Sequence, residues 1–479
     1  MMNANTNDIR PFYLAGKWTE GEHHVEIRAP YDDSLVARVS MGERKHAEEA
    51  IAAAVRAFEV TRKLSSYDRQ QALLAMRKLL EERKEEFART VSREVGKPMK
   101  TARGEVERAL FVLDIAAEET TRINGEVLPL DLLESTRGRW GMVRRFPVGP
   151  LTAITPFNFP INLVVHKVAS AMAAGCPVVV KPAPQAPVSS ILLAELVEKC
   201  GWPAEGVSIL PLANEDAALL VEDDRMKMLS FTGSDAVGWE LKRRAGKKRV
   251  TLELGGNASC IIHSDADLEY AAARCVLGGF AYAGQSCISV QRILVQRSVY
   301  GKFLEYLVPG VQALKVGDPS DDATDVGPMI READAKRAES WIQEAAAAGA
   351  EILCGGHRKG AVLEPTVLTH TQPTQRVNCA EAFAPLVTVE PYDEFDEVLR
   401  RVNDSPYGLQ SGVFTRDVQR IFQAYETLEV GGVIIGEVPT FRIDHMPYGG
   451  VKNSGMGREG LRYAIEEMTE RKLLVMNLR

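Results

Sequence analysis

The stretch Pro177-Val178-Val179-Val180-Lys181 carries three consecutive β-branched residues and nothing charged before its last position. A strand with one wet face alternates apolar and polar side chains. A strand covered on both faces does not, so this run reads as an inner strand of a parallel sheet. Upstream, Leu151-Thr152-Ala153-Ile154-Thr155 is a second short apolar run, and residues 207–211, 228–231 and 250–254 supply three more. Residues 162–174, 188–200, 215–222 and 235–245 between them read as helices. This β-α-β-α rhythm predicts a doubly wound sheet with helices on both faces. Amphipathic helices precede it at 43–59, 65–90 and 101–122, the last with Leu110, Leu113 and Ala117 at helical spacing. A second alternating block runs from about 258 to 436. Two segments stand apart. Residues 125–146 read as an exposed two-stranded ribbon, and 462–479 as a helix followed by a terminal strand. Both are expected to serve oligomer contacts, the alternative being that they pack on their own chain.

With 479 residues, 45% hydrophobic and 26% charged, the chain can build two or three domains around large cores. A net charge of -7 argues against a nucleic-acid partner, which favours a basic face. Lys247-Lys248-Arg249 is short and reads as a solvated loop. Residues 1–8 are polar, and no run of about 18 apolar residues occurs, so neither a signal peptide nor a membrane span is expected. The seven cysteines are odd in number and scattered, without a CxxC. They predict no disulfide framework and no metal site, and a reducing cytoplasm is the expected compartment. Six of them read as small core hydrophobes.

The seventh is Cys287, in Gly284-Gln285-Ser286-Cys287, between a glycine turn and the β-branched run Ile288-Ser289-Val290. The run before it, from Leu268 to Val276, reads as a helix ending in Gly278-Gly279. A thiolate there would be a nucleophile. In Val250-Thr251-Leu252-Glu253-Leu254, alternation puts Glu253 on the face opposite Leu252, at a strand's C-terminal end just before Gly255-Gly256. Ligands of open α/β sheets bind outside such ends, so Glu253 is a candidate general base, or else an ion-pair partner. In Thr155-Pro156-Phe157-Asn158-Phe159-Pro160 two prolines fix the backbone around Asn158. Its amide is a candidate oxyanion donor together with the Cys287 backbone N–H, or simply a turn residue. Lys181 ends its strand and would hold a ribose or phosphate, or lie in solvent. Gly233 and Ser234, at the start of a helix, offer donors to a pyrophosphate.

Taken in order, these motifs resemble the aldehyde dehydrogenase superfamily through nearly the whole chain, as far as Pro447-Tyr448-Gly449-Gly450-Val451-Lys452-Asn453-Ser454-Gly455. The resemblance implies an α/β protein with a Rossmann-like cofactor domain (1–124 and 147–254) and an α/β catalytic domain (255–440). A small β oligomerisation element (125–146 and 462–479) is joined by a bridging segment, 441–461, and the expected assembly is a homodimer or homotetramer. It implies Cys287 as nucleophile, Glu253 as base and Asn158 as oxyanion amide. Lys181 and Glu381 would hold the two riboses of NAD or NADP, Gly233 and Ser234 would lie by the pyrophosphate, and Thr155 and Pro156 would border the cofactor. Phe383 would pack on the nicotinamide side. The last motif, Glu381-Ala382-Phe383-Ala384-Pro385, is a variant of the family's Glu-Ile-Phe-Gly-Pro. The implied reaction is oxidation of an aldehyde to the acid through a Cys287 thioester that water hydrolyses. Acyl transfer to coenzyme A and a catalytically silent protein on the same fold are the alternatives.

Pro184 stands where many NAD-preferring members carry a glutamate that binds the adenosine ribose, so NADP stays open. Phe157 replaces a frequent tryptophan, and Tyr448 a frequent phenylalanine near the aldehyde tail. The stretches around Cys287 and from Thr440 to Pro447 are most similar to the branch containing lactaldehyde and phosphonoacetaldehyde dehydrogenases. Arg442 and Arg108 are candidates to meet a polar or anionic substrate end, or each makes a structural ion pair. The expected substrate is a small polar aldehyde of the lactaldehyde, glyceraldehyde, semialdehyde or phosphonoacetaldehyde type.

Overall fold

The computed structural model describes residues 8–477. Residues 1–7, most of the stretch read as free of a signal peptide, and Leu478 and Arg479 at the end of the terminal segment lie outside the described residues. A first sheet orders its strands Gly455–Met456, Arg249–Glu253, Met228–Thr232, Leu151–Ile154, Val178–Lys181, Val207–Ile209, Phe12–Leu14 and Lys17–Thr19. The strands from Arg249–Glu253 through Val207–Ile209 are parallel. From Leu151–Ile154 the chain winds outward to one side, then returns to build the other, so the strand order reverses between Leu151–Ile154 and Met228–Thr232. Crevices at such reversals are where open α/β sheets bind ligands. Register brings Ile154 beside both Phe231 and Lys181, and Thr232 beside Glu253. Thr155, Lys181, Gly233 and Glu253 therefore leave the sheet along one edge.

The second sheet runs Glu351–Cys354, Thr366–Thr369, Leu386–Tyr392, Val290–Gln296, Ala258–Ile262, Gln410–Phe414 and Gly432–Ile435, parallel except at Glu351–Cys354. Its N-terminal edge is preceded by Asn257, Cys287 and the 381–385 motif. The candidate residues thus collect where the C-terminal edge of one sheet meets the N-terminal edge of the other.

Helix Asn162–Ala174 is buried at every position, including the polar Asn162, His166, Lys167 and Ser170 in its otherwise apolar run. It packs in one core with Ser66–Glu82, Lys84–Val95 and Met99–Thr120. The helix expected at 65–90 is two helices, broken at Arg83 (φ -117°, ψ 13°). The break lets Phe87, Val91 and Val95 enter the same core as Leu73 and Met76. The helix before Cys287 does not stop at Gly278-Gly279 but runs Leu268–Phe280. Those glycines serve close packing: a Cβ on Gly278 would lie 2.9 Å from Val290, and one on Gly279 2.7 Å from Val387.

Lys247-Lys248-Arg249 is a solvated loop only at Lys247, which lies exposed in a turn. Arg249 opens a strand and donates to the carbonyls of Glu467 (2.8 Å) and Thr469 (3.1 Å), while Lys248 donates to Glu222 O (2.9 Å). Nor are six cysteines core hydrophobes: Cys176, Cys200, Cys260 and Cys275 are buried, Cys354 is partly exposed and Cys379 is exposed. The 125–146 ribbon forms strands Glu126–Pro129 and Arg139–Pro147, and the terminal strand Thr469–Asn477 pairs along the whole second strand. Val127, Leu132, Leu473 and Val475 of this arm are at least half exposed. No helix among the described residues is long and apolar enough to cross a membrane.

Candidate active site

Helix Leu268–Phe280 ends in a left-handed turn: Tyr282 (φ 51°, ψ 42°), Ala283 (φ 52°, ψ 35°) and Gly284 (φ 67°). The two non-glycine residues each cost about 1–2 kcal/mol in this conformation, so the surroundings must enforce it. The Tyr282 hydroxyl donates to Val95 O (3.1 Å). A Cβ on Gly284 would lie 2.1 Å from the Ala384 carbonyl, which makes glycine obligatory there. Gln285, wholly buried, accepts from Ile330 N–H through Oε1 (2.8 Å). The turn delivers Cys287 to the wall of a cavity of about 590 Å³. Burial pushes the thiol up to about 11, against the Tyr448 hydroxyl, 3.0 Å from Sγ, and the Arg442 guanidinium, which both favour the thiolate.

Asn158 Nδ2 donates to Gln285 O (3.0 Å), which orients the amide beside the Cys287 loop and leaves its second N–H without a partner among the described residues. The Asn158 backbone carbonyl accepts from Lys97 Nζ (2.6 Å). Lys97 is fully buried, paired with Glu105, and 3.9 Å from the centre of the Phe159 ring. Glu105 in turn accepts the N–H groups of Ile161 (2.9 Å) and Asn162 (3.1 Å), where the buried helix begins. Sequence reasoning missed this pair. Its one signal was a carboxylate on the apolar stripe Ala102, Val106, Ala109.

Glu253 is buried, and neither carboxylate oxygen has a hydrogen-bond partner among the described residues. Burial first, and the neighbouring Glu459 second, raise it well above the ordinary glutamate value. Segment 441–461 closes the cavity from the other side. Arg442 donates to Glu459 (3.1 Å) and lies 3.7 Å from the centre of the Tyr448 ring. Burial works against the Glu459 carboxylate, yet Lys167 and Arg442 hold it down at about 2. Arg108 grips Asp444 with two hydrogen bonds (3.0 and 2.6 Å), and His166 Nε2 meets the same carboxylate at 2.8 Å. Both arginines therefore make ion pairs and also line the cavity. Asp444, Glu459, Lys167 and His166 gave no sequence signal.

At the cofactor side, Gly233, Ser234, Pro156, Glu381 and Phe383 line the same cavity; Thr155 and Lys181 lie off it. Lys181, buried and shifted down by desolvation, has no ion pair or hydrogen bond from its ammonium among the described residues. The hydroxyls of Thr155 and Thr232 are buried, and without a partner among the described residues, on adjacent strand ends. Glu381 accepts from Gly256 N–H (2.9 Å) and is pushed up to about 7, chiefly by burial. Phe383, with φ 47°, meets Phe157 edge to face. Orphan hydroxyls, a free ammonium, a carboxylate over Gly255-Gly256 and a helix start after Gly233-Ser234 suit a dinucleotide's riboses and phosphates.

A family model described as "Aldehyde dehydrogenase family" matches residues 18–474. The chain is 44% identical over 467 residues to a 3-sulfolactaldehyde dehydrogenase of Priestia megaterium, covering 97% of this chain and 98% of the relative. Its fold superposes with a TM-score of 0.96 on aldehyde dehydrogenase 21 from Physcomitrella patens in complex with the reaction product succinate, at 43% identity and covering 98% of each chain. A glyceraldehyde-3-phosphate dehydrogenase from Methanocaldococcus jannaschii, complexed with NADP, gives a TM-score of 0.92 at 38% identity, covering 95% of this chain and 100% of that one.

Proposed function

Because the chain belongs to the aldehyde dehydrogenase family, we propose that it oxidises a small polar or functionalised aldehyde to the carboxylic acid with NAD or NADP. The observation that carries this reading is one cavity lined by Cys287, by the oriented amide of Asn158 and by a buried Glu253 with no partner. The Cys287 thiol gives up its proton and Sγ bonds to the aldehyde carbon. The oxyanion takes hydrogen bonds from the second Asn158 N–H and from the Cys287 backbone N–H, which has no partner among the described residues. NAD or NADP, when bound, supplies the acceptor for the hydride that leaves this carbon. The residues to hold it are Lys181 and Glu381 at the riboses, Gly233 and Ser234 at the pyrophosphate, Thr155 and Pro156 alongside, and Phe383 on the nicotinamide side. The Cys287 thioester is then hydrolysed by water that loses a proton to Glu253; an unpaired base beside the thioester supports water rather than a thiol as acyl acceptor.

The substrate end faces Arg108 and Tyr448. Arg108 is the more open of the two arginines, with its side chain 32% exposed against 7% for Arg442. Its charge is already shared with Asp444, which fits a hydroxylated or singly charged tail such as a lactaldehyde or semialdehyde better than a phosphonate dianion. The relatives named for sulfolactaldehyde and solved with succinate support the same class. The cofactor domain is proposed as 1–124 with 147–254, the catalytic domain as 255–440 and the bridge as 441–461. The exposed apolar arm, 125–146 with 462–479, supports a homodimer or homotetramer.

The test is a panel of lactaldehyde, glyceraldehyde, succinic semialdehyde and phosphonoacetaldehyde, each with NAD and with NADP, on the wild type and on Cys287→Ala. Aldehyde-dependent NAD(P)H formation that survives in Cys287→Ala rejects the mechanism. A preference for phosphonoacetaldehyde rejects the substrate class.

A further inference from the structure

Tyr448 is 3% exposed, and the sulfur of Cys287, at 3.0 Å, is the one hydrogen-bond partner its hydroxyl has among the described residues. A buried phenol that hydrogen-bonds a thiol and nothing else is not needed for packing; phenylalanine would fill the same space. Beneath its ring, 3.7 Å from the ring centre, lies the Arg442 guanidinium. A cation over the ring face draws electron density from the phenol and makes its O–H a stronger donor. Arg442 is itself fixed by Glu459, which Lys167 holds from the far side at 3.2 Å, so the stack is a rigid column from helix Asn162–Ala174 to the nucleophile.

We infer that the Tyr448 hydroxyl is a catalytic group: it donates a hydrogen bond to the Cys287 thiolate, and Arg442, as a positioning residue, strengthens that donation through the ring. This rests on Cys287 being the nucleophile. The step balances simply. The thiol proton leaves for water in the cavity, the electron pair stays on sulfur, and the phenol keeps its own proton throughout. The phenol can do so because burial, and then the neighbouring thiolate, raise it well above its ordinary value of 10. The charged and titratable groups around Sγ are Tyr448 and Arg442, which favour the thiolate, and Glu381 and Glu253, which oppose it. With two carboxylates on the opposing side, a neutral donor is the means of stabilising the anion without adding charge to the substrate pocket.

The experiment is the rate of alkylation of the whole enzyme by iodoacetamide at a fixed pH of about 8, followed at the Cys287 peptide by mass spectrometry, in the wild type, Tyr448→Phe and Arg442→Lys. Loss of one charge-assisted hydrogen bond lowers the thiolate fraction, partly offset by the greater nucleophilicity of a more basic thiolate, so the rate should fall about three- to tenfold in Tyr448→Phe. A smaller fall is expected in Arg442→Lys, which keeps the charge but loses the planar stack. An unchanged rate in Tyr448→Phe, including one accompanied only by a higher KM for aldehyde, overturns the proposal; an unchanged rate in Arg442→Lys alone removes Arg442 from it. Activity surviving in Cys287→Ala would instead overturn the assignment of the nucleophile, so the two failures are distinguishable.

Discussion

Glu253→Gln puts an amide of the same shape where neither carboxylate oxygen has a partner, so no ion pair or hydrogen bond is broken. Its effects on catalysis and on stability should have opposite signs. The amide cannot take a proton from water, so thioester hydrolysis should slow by about 10²–10⁴-fold. Formation of the thioester does not use the group. Stopped-flow absorbance should then show a fast phase of one NAD(P)H per site, followed by a slow steady state. Stability follows from the raised carboxyl. Burial and Glu459 lift Glu253 well above 4.5 in the folded state. A group raised by folding contributes stability that is fully present below its unfolded value and is lost as pH rises through its folded value, at about 1.4 kcal/mol per pH unit. The wild type therefore loses stability from about pH 4.5 upward on this account, and the variant does not. In a pH series of thermal melts, Tm of Glu253→Gln should exceed that of the wild type at pH 8, and the difference should vanish toward pH 4.5. A steady-state rate equal to the wild type's, or a variant less stable at pH 8, refutes the reasoning.

Asn158→Ala removes one oxyanion donor and should lower kcat by about 10²–10³-fold, while iodoacetamide still labels Cys287 in the folded enzyme. Pro184 is exposed just beyond strand Val178–Lys181; Pro184→Glu should raise KM for NADP relative to NAD by about tenfold, the size of a 1.4 kcal/mol like-charge penalty. Leu474 is 48% exposed on the terminal strand; Leu474→Lys should lower the mass measured by light scattering toward that of a monomer, with little change in far-UV circular dichroism.

The first sheet was legible because its inner strands are covered on both faces and so show little polar alternation. Helix Asn162–Ala174 was legible at both ends because Pro160 and Gly175 bracket a run that is apolar but for Asn162, His166, Lys167 and Ser170. The break at Arg83 was not, since neither glycine nor proline marks it and tertiary packing alone imposes it. Gly278-Gly279 misled because a glycine pair that admits a neighbouring strand looks like one that ends a helix. At the site, Cys287, Glu253 and Asn158 stood out because each lies at a strand end or in a constrained turn. The ion pairs behind them did not. Arg108 and Asp444 lie on separate elements at opposite ends of the chain, and only the folded topology makes them neighbours. The left-handed Tyr282 and Ala283 were equally hidden, since neither residue type announces that conformation.

The two-residue strand Gly455–Met456 sits beside the strand that carries Glu253, with Gly455 opposite Glu253 itself. A Cβ at Gly455 would lie 2.0 Å from Leu252 O, so the fit is tight. This strand, with Tyr448 and Arg442 before it, lies far downstream of Cys287 and Glu253 in the chain. One continuous segment therefore supplies both the phenol beside the Cys287 sulfur and the backbone beside Glu253, so a change in its length or path would disturb both ends of the site together.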